Sequence, residues 1–347
     1  MHKVSVVIPS YNHEKYLGFA VDSVLAQVGV EVELIIIDDG SSDNSVSLLR
    51  QYSDPRIKLT VGKNSGAHNA INLGLSQATG DFIAILNSDD AYHIDRLRIC
   101  VDELQSQQAD MCCTWLELID SDGRTLGVKE GWKNMLPWPR PATEAAGAAD
   151  SENFIENLLF SNFVSTTSNM VFRRSVYDAI GGMQNLRFAH DWDYMLRAAS
   201  RVSCILIPKP LVQYRLHQTN TIKTNRAWML FEICWIYATG WQRLAHRLRA
   251  QLECGNQIWV RAFNSINTQG NDRLLSLIQL YIATTEKLSD EEASTRMLED
   301  AELRQSFISL VDVGVDVSAV NQEDLDIGTC RNFRGGLRKL KDHFKKW

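Results

Sequence analysis

Short apolar runs alternate with amphipathic segments through the first third of the chain. Unbroken apolar runs are typical of strands buried on both faces, and apolar residues three or four positions apart indicate helices. These patterns predict strands at 4–8, 31–37, 57–61 and 82–86 and helices at 14–28, 43–51 and 67–78. Strands that alternate with helices in this way form parallel, doubly wound sheets. The predicted fold class is therefore α/β, with a Rossmann-like, mostly parallel sheet flanked by helices.

Two residues are expected to end elements in this part of the chain. Pro9 should stop the first strand, because proline cannot donate a hydrogen bond within a central strand. Gly80 should cap the third helix, since glycine readily adopts the backbone conformation found at helix ends.

The rest of the chain has a mixed pattern that becomes helical. Strands are predicted at 109–118, 166–172, 203–207 and 212–216, and helices at 153–160 and 190–199. A loop at 131–150 is expected to cover the site. From residue 226 onward the pattern is helical, with breaks near Gly255 and Gly270. We divide the chain into a first domain at 1–225, a helical region at 226–330 and a basic tail at 331–347.

Composition narrows the class of protein. The 347 residues are 45% apolar and 22% charged, which is ordinary for a globular protein. The net charge is −6 although the tail is basic, so the body is acidic and a poor binder of nucleic acid. No run reaches the roughly 18 apolar residues that a membrane-spanning helix needs. No signal peptide is visible and the cysteines lack metal-ligand spacing, so we predict a cytoplasmic protein with free thiols.

Two pairs of adjacent aspartates follow predicted strands: Asp38 with Asp39, and Asp89 with Asp90. Ligands bind at the carboxyl ends of strands in open α/β sheets, and paired carboxylates there bind a divalent cation that can hold a diphosphate. A simpler interpretation also exists for each pair. The first could form only a turn and helix cap, and the second could cap a helix that begins near Ile94.

Five segments resemble, in order and spacing, the motifs of family 2 glycosyltransferases. They are SVVIPSYN at 5–12, IDDGSSD at 37–43, NSGAHNAIN at 64–72, SDD at 88–90 and HDWD at 190–193. The resemblance implies a GT-A fold and inverting transfer of a sugar from a nucleotide-diphosphate donor to a hydroxyl of a glycan or lipid-linked acceptor. It also implies surface polysaccharide synthesis, with uridine diphosphate (UDP) as the favoured carrier and Mg²⁺ or Mn²⁺ as cofactor.

The resemblance further implies which residues bind the nucleotide. Pro9, Ser10 and Tyr11 match the turn that wraps the nucleotide. Asp39 matches the residue that holds the base, and Asp89 matches a contact to the ribose or sugar.

Metal and catalytic roles are implied in the same way. Asp90 matches the ligand of the divalent ion, and His217 could supply a further metal or phosphate contact, with a structural histidine as the alternative. Asp191 matches the general base that takes the proton of the acceptor hydroxyl. Asp191 could instead be a helix N-cap, in which case Asp193 is the reserve candidate for the base.

The chain departs from the family pattern at two positions. His190 stands where the base motif usually has glutamate, and Ile71 precedes Asn72 where an arginine is frequent. A second hypothesis is a catalytically inactive protein that binds a sugar nucleotide or glycan on the same fold, although the presence of both Asp90 and Asp191 speaks against it. A dehydrogenase or P-loop enzyme is excluded, because neither glycine-rich motif follows a predicted strand.

The basic tail has the pattern of an amphipathic helix. Its apolar residues recur at helical spacing: Phe333, Leu337, Leu340, Phe344 and Trp347. Lysines and arginines fill the other face, which is typical of a helix that lies on an anionic membrane surface. The alternative is that the apolar stripe docks on the helical region. The sequence is also compatible with an oligomer formed through the helical surface after residue 226.

Overall fold

A nine-stranded sheet forms the centre of the protein. The computed structural model describes residues 1–132, 151–217, 225–252 and 268–313. Four strands make the first half of the sheet: β1 (Lys3–Ser10), β2 (Glu31–Asp38), β3 (Ile57–Val61) and β4 (Phe82–Ile85). They lie in the order β3-β2-β1-β4, and every neighbouring pair is parallel. The predicted α/β class and the parallel sheet are confirmed for this half.

The second half of the sheet is mixed. Its strands are β5 (Ala91–Tyr92), β6 (Met111–Ile119), β7 (Thr125–Lys129), β8 (Val171–Arg173) and β9 (Cys204–Arg215). Strand β8 joins the halves because it pairs antiparallel with both β4 and β6. Strand β6 also pairs in parallel with β9, which carries β5 on its other edge. The strands predicted at 203–207 and 212–216 are thus one strand with irregular pairing in the middle.

Eleven helices occur in the described part of the chain. Those in the α/β part are α1 (Leu17–Leu25), α2 (Ser45–Leu49), α3 (Ala67–Gln77), α4 (Arg96–Ser106), α5 (Ser151–Phe160), α6 (Arg174–Ile180) and α7 (His190–Ala199). Four follow: α8 (Arg226–Leu252), α9 (Asp272–Thr284), α10 (Asp290–Glu299) and α11 (Ala301–Ile308). The predicted helix at 190–199 has these bounds, and the helical end of the chain is confirmed as far as the structure describes it.

Alternate residues of the central strands face two hydrophobic cores, as the two-residue repeat of a strand requires. Val6 of β1 packs in the core that contains α1 and α4, and Val7 faces the core that contains α3, α5 and α7. Leu230 of α8 and Ile278 of α9 belong to that second core, so residues 1–312 form one compact unit. The domain boundaries at 225 and 330 stay predictions.

Strand β1 continues through Pro9, so the expectation that proline ends it is wrong. Val7 is the last residue of β1 that pairs with β4, and Pro9 still pairs with Ile37 of β2. The missing amide hydrogen of Pro9 therefore lies beyond the β4 ladder. This is where proline is tolerated in a sheet.

Gly80 does not cap α3, which ends at Ala78 in an extended conformation. A Cβ atom at Gly80 would lie 2.8 Å from the Lys3 oxygen and 2.8 Å from the Ser5 nitrogen. Glycine is needed here because the chain passes directly against the backbone of β1.

The predicted strand at 166–172 is only partly correct. Thr167–Asn169 forms a 3₁₀ turn, and the strand begins at Val171. The tail at 331–347, the break near Gly255 and most of the 131–150 loop lie outside the described residues. Within the described ranges, no helix combines the length and the hydropathy that crossing a bilayer requires.

Candidate active site

The ends of β1 and β2 lie side by side and carry several of the predicted nucleotide-binding residues. Ser10 donates a hydrogen bond from Oγ to Asp38 Oδ2 at 3.3 Å. Pro9 and Ser10 are buried, whereas Tyr11 is 45% exposed at the mouth of the site. Pro9 and Ser10 are the last residues of β1 and only Tyr11 lies beyond the strand, and the nucleotide contacts of the three residues stay predictions.

The two aspartates after β2 have different local roles. Asp38 accepts hydrogen bonds from the Ser41 amide at 2.9 Å and the Ser41 hydroxyl at 2.7 Å, which is the turn interpretation of this motif. Asp39 accepts from the amides of Ser65 and Gly66, both at 2.8 Å. The Asp39 carboxylate thus ties the end of β2 to the segment before α3. Its contact with a nucleotide base stays a prediction.

Three side chains form a group of potential metal ligands. One ligand atom from each of His13, Asp89 and His217 lies within 4.8 Å of the other two. His217 Nε2 is 2.9 Å from Asp89 Oδ2, and both side chains are largely buried, at 5% and 14% exposed. We call this group the His13–Asp89–His217 cluster.

Electrostatics favours a charged Asp89 in this cluster. Burial alone would raise its pKa, but the hydrogen bond with His217 and the nearby His13 hold the pKa of Asp89 below its usual range. His13 Nδ1 also lies 2.7 Å from the Ser88 hydroxyl, which orients the ring. An ionised carboxylate between two imidazoles can hold a divalent transition-metal ion such as Mn²⁺.

Asp90 is more deeply buried than Asp89, and its carboxylate is engaged in hydrogen bonds with the protein. It is 1% exposed and accepts hydrogen bonds from the Ser168 hydroxyl at 2.5 Å and the Arg215 amide at 3.0 Å. Burial and the neighbouring Asp89 raise the pKa of Asp90 well above its usual range. Its geometry is that of a residue that holds the loop after β4 against β9.

The helix-cap interpretation of this aspartate pair is wrong. Helix α4 begins at Arg96, and Asp95 precedes it, so neither Asp89 nor Asp90 lies at a helix start. Arg215 instead fixes the pair, because its Nε donates to the Asp89 carbonyl at 2.9 Å. The Arg215 guanidinium also lies over the Tyr16 ring, 4.8 Å from its centroid.

Asp191 lies in the first turn of α7 and is held from two sides. Ala189 is the residue before the helix, so the N-cap interpretation of Asp191 is wrong. Asp191 Oδ2 accepts a hydrogen bond from Asn162 Nδ2 at 3.1 Å, and Oδ1 accepts from the Trp192 amide at 2.7 Å. The carboxylate therefore has a fixed orientation, as a general base requires.

Asp193, the reserve candidate, makes an ion pair. Its Oδ2 lies 2.8 Å from Arg197 Nε, and the Asp193 side chain is 1% exposed. Trp192 is also buried and donates from Nε1 to the Leu158 oxygen at 2.7 Å. Asp193 is thus paired with a cation, whereas the hydrogen bonds to Asp191 come from the uncharged Asn162 side chain and the Trp192 amide.

Tyr214 links the metal cluster to Asp191. Burial raises the pKa of the Tyr214 hydroxyl, and the carboxylates of Asp90, Asp89 and Asp191 act in the same direction. All three carboxylates therefore lie within electrostatic range of one phenol. The segment after α5 also connects the two predicted centres. Asn162 holds Asp191 and accepts from the Ser165 amide, and the hydroxyl of the next residue, Thr166, lies 3.5 Å from Asp90 Oδ2.

Two further ionisable groups surround Asp191. Burial lowers the pKa of Lys129 to about 8, and Asp191 opposes this effect. Lys129 Nζ donates to the Ser165 hydroxyl. The Ser165 amide in turn donates to Asn162, the residue that holds Asp191. Burial also lowers the pKa of His190, so an uncharged imidazole stands where the family has glutamate.

Sequence reasoning missed His13, Asn162, Lys129 and Glu232. His13 directly follows the SVVIPSYN motif, and this position beside a predicted nucleotide-binding segment was the signal that could have identified it. Asn162 and Lys129 have no motif of their own and reach the site only through the fold. Glu232 is a charge within the apolar run at 227–238, which is itself a signal that a buried partner exists.

The sequence model named "Glycosyl transferase family 2" matches residues 5–181, just over half of the chain. The chain belongs to this family. This confirms the resemblance in the motifs.

Individual relatives in the glycosyl transferase 2 family are moderately similar. The succinoglycan biosynthesis protein ExoO of Rhizobium meliloti is 36% identical over 124 residues, which cover 35% of this chain and 36% of ExoO. An uncharacterized glycosyltransferase of Haemophilus influenzae is 29% identical over 225 residues, covering 63% of this chain and 67% of that protein. The chain thus matches little more than a third of the length of ExoO.

A solved structure supports the fold over a longer stretch. The crystal structure of S. aureus TarS 1-349 in complex with UDP-GlcNAc has a TM-score of 0.52 at 17% identity. The match covers 88% of this chain and 92% of that chain. At this identity the likeness concerns the fold alone, and it confirms the GT-A architecture predicted from the motifs.

Proposed function

We propose that the protein is an inverting glycosyltransferase that moves a sugar from a UDP-sugar to a hydroxyl of a glycan or lipid-linked acceptor. The observation that carries the proposal is that one segment, residues 162–168, bonds to both centres: Asn162 to Asp191, and Ser168 to Asp90 beside the His13–Asp89–His217 cluster. A metal centre suits the departing diphosphate, and a held carboxylate suits the attacking hydroxyl.

The residues of the cluster fit a divalent cation. Asp89 supplies an ionised oxygen ligand, and His13 and His217 supply imidazole nitrogens. Imidazole ligands favour Mn²⁺ over Mg²⁺, which prefers oxygen ligands only. When bound, the ion would neutralise charge on the diphosphate leaving group. We therefore propose Mn²⁺ as the cofactor and Asp89 rather than Asp90 as the direct ligand.

The nucleotide would occupy the ends of β1 and β2. Tyr11 is exposed there, and the Asp39 carboxylate is fixed by two backbone amides of the segment before α3. A fixed acceptor of this kind can receive the N–H group of a uracil base through its free lone pairs. This supports a uridine nucleotide and leaves the sugar open.

Asp191 would take the proton of the acceptor hydroxyl as the oxygen attacks the anomeric carbon. Asn162 and the Trp192 amide hold the carboxylate in one orientation, so the proton acceptor is preorganised. Attack from the face opposite the leaving group inverts the anomeric configuration. A catalytically inactive binding protein would not need this held carboxylate.

The biological setting of the proposal is polysaccharide assembly on the cytoplasmic side of a membrane. ExoO, the relative with 36% identity, is a succinoglycan biosynthesis protein. A lipid-linked acceptor would explain the basic amphipathic pattern at 331–347. Membrane association through that segment is part of the proposal.

The proposal is tested by incubating the protein with a panel of UDP-sugars and Mn²⁺ and following UDP release and the anomeric configuration of the product by NMR. Release of UDP with an inverted product anomer is the expected result. UDP binding without turnover for any donor and acceptor would favour the inactive binding protein. A product of retained configuration would contradict the assignment of Asp191 as the base.

A further inference from the structure

Trp228 in the first turn of α8 lies between two guanidinium groups. The Arg187 guanidinium carbon is 5.5 Å from the ring centroid, and that of Arg304 is 5.0 Å away. The Phe188 ring is 6.4 Å from Trp228, and Arg187 also lies over Phe188. We call these four residues the Arg–Trp patch.

The two cations of this patch have no acidic partner in the described ranges. The ion pairs found there engage other arginines, such as Arg56, Arg98 and Arg197, and neither Arg187 nor Arg304. Arg187 is exposed and Arg304 is half-buried. Arg304 donates to the Leu298 carbonyl, whereas Arg187 is exposed, so Arg187 is the more accessible guanidinium for an anion.

The patch is fixed next to the proposed base. Glu232, one helical turn after Trp228 on α8, accepts hydrogen bonds from the amides of Arg187 at 2.7 Å and Phe188 at 2.8 Å. Asp191 follows Phe188 by three residues in the chain. The patch and the base therefore belong to one rigid arrangement.

We propose that the Arg–Trp patch is a subsite for an acceptor glycan that carries an anionic group, phosphate or carboxylate. A guanidinium forms paired hydrogen bonds with either anion. The assignment to the acceptor rests on the proposed function, in which the donor diphosphate occupies the His13–Asp89–His217 cluster.

The test is direct binding of three defined oligomers: a polyol-phosphate oligomer, a uronate-containing oligosaccharide and a neutral maltooligosaccharide. Wild type should bind at least one anionic oligomer more tightly than the neutral one, and Arg187→Ala/Arg304→Ala should weaken that binding about tenfold or more. Whether the phosphate or the carboxylate oligomer binds identifies the anion. Raised salt should weaken the binding further.

Two controls separate this subsite from folding and from the donor site. Arg50→Ala/Arg98→Ala removes the same charge from the far side of the α/β part and should leave oligomer binding unchanged. Arg187→Glu reverses the charge of an exposed side chain and should abolish binding without loss of the folded state. UDP binding with Mn²⁺ should be equal in all variants. A defect in the donor site would appear as weaker UDP binding and can therefore be distinguished from loss of the acceptor subsite.

The proposal is overturned if wild type binds none of the anionic oligomers or binds the neutral oligomer as tightly. Unchanged binding in both Arg187→Glu and the double variant would also overturn it. A parallel loss of UDP binding in these variants would reassign the patch to the donor.

Discussion

The carboxylate of Glu232 on α8 accepts a hydrogen bond from the backbone amide of Ala189, 3.0 Å away and two residues before Asp191. Together with the bonds from Arg187 and Phe188, it satisfies three amides that enter α7. A side chain of the helical region thus fixes the start of the helix that carries the proposed base. This relationship gives α8 a functional as well as a structural role.

Glu232 should make the stability of the protein depend on pH in a defined direction. Burial raises its pKa to about 7, so between pH 4.5 and 7 the folded state keeps a proton that the unfolded chain loses. This stabilisation is present at low pH and is lost as pH rises through about 7. The loss amounts to about 3 kcal/mol between roughly pH 5 and 8.

Denaturant unfolding of wild type and Glu232→Gln at several pH values checks this prediction. As pH rises from roughly 5 to 8, wild type should lose about 3 kcal/mol of unfolding free energy relative to the glutamine variant. Glu292→Gln is the control. The pKa of the exposed Glu292 is lowered, so its effect on the unfolding free energy changes at pH values below those tested. A difference that does not change with pH would exclude the protonated, buried Glu232.

Asp191→Asn should abolish most of the sugar transfer while leaving the fold and the donor site intact. The amide can still accept from the Trp192 amide, but it cannot take the proton of the acceptor. The turnover number should fall by about 10²–10⁴. Asp178→Asn changes an exposed aspartate in α6 and should keep wild-type turnover. Equal turnover in both variants would remove Asp191 from the mechanism.

The first half of the fold was predictable because its strands are continuous apolar runs that alternate with amphipathic helices. Strand β3 has the predicted bounds, and β1, β2 and α3 differ by only a few residues. The errors come from contacts that sequence spacing does not report. Pro9 stays in β1 because its partner on one side has already ended, and Gly80 is required by a neighbouring strand.

The candidate site was predictable where it lies on strand ends and not where it depends on long-range packing. Asp89, Asp191 and His217 belong to recognisable segments, and the fold places Asp89 and His217 in one cluster. Sequence spacing alone could not decide whether Asp89 or Asp90 belongs to the cluster of potential metal ligands. Asn162 is 29 residues from Asp191 and meets it only after α5 and α7 pack together.

Gly80→Ala should destabilise the protein through a backbone clash. The new Cβ would lie 2.8 Å from the Lys3 oxygen and 2.9 Å from the Phe82 oxygen, and neither backbone atom can move freely. We expect a loss of about 1–3 kcal/mol or more in unfolding free energy. Gly127→Ala is the matched control, since nothing lies within 4 Å of its Cβ position and the effect should be about 0.5 kcal/mol or less. Similar melting temperatures for the two variants would contradict the close approach.

Asp90→Asn tests whether Asp90 is a structural residue. Its carboxylate accepts from Ser168 and Arg215. The oxygen of the new amide could still accept from the Arg215 amide, but its NH₂ group would replace the oxygen that accepts from the Ser168 hydroxyl. The variant should lose about 1–3 kcal/mol of stability yet keep Mn²⁺-dependent UDP binding. Ser106→Ala, at the exposed end of α4, controls for a small polar change. Loss of metal dependence in Asp90→Asn at normal stability would restore Asp90 as the metal ligand.

The central claim is that Asp89 and His217 hold a divalent ion that binds the diphosphate of the donor. The most direct test is the thermal shift produced by UDP with Mn²⁺ and with chelator, in wild type, Asp89→Asn and His217→Ala. A ligand that binds only the folded state raises the melting temperature. The account predicts a UDP shift in wild type that needs Mn²⁺ and is lost in both variants. A shift of equal size in the presence of chelator, or one retained in both variants, would contradict it.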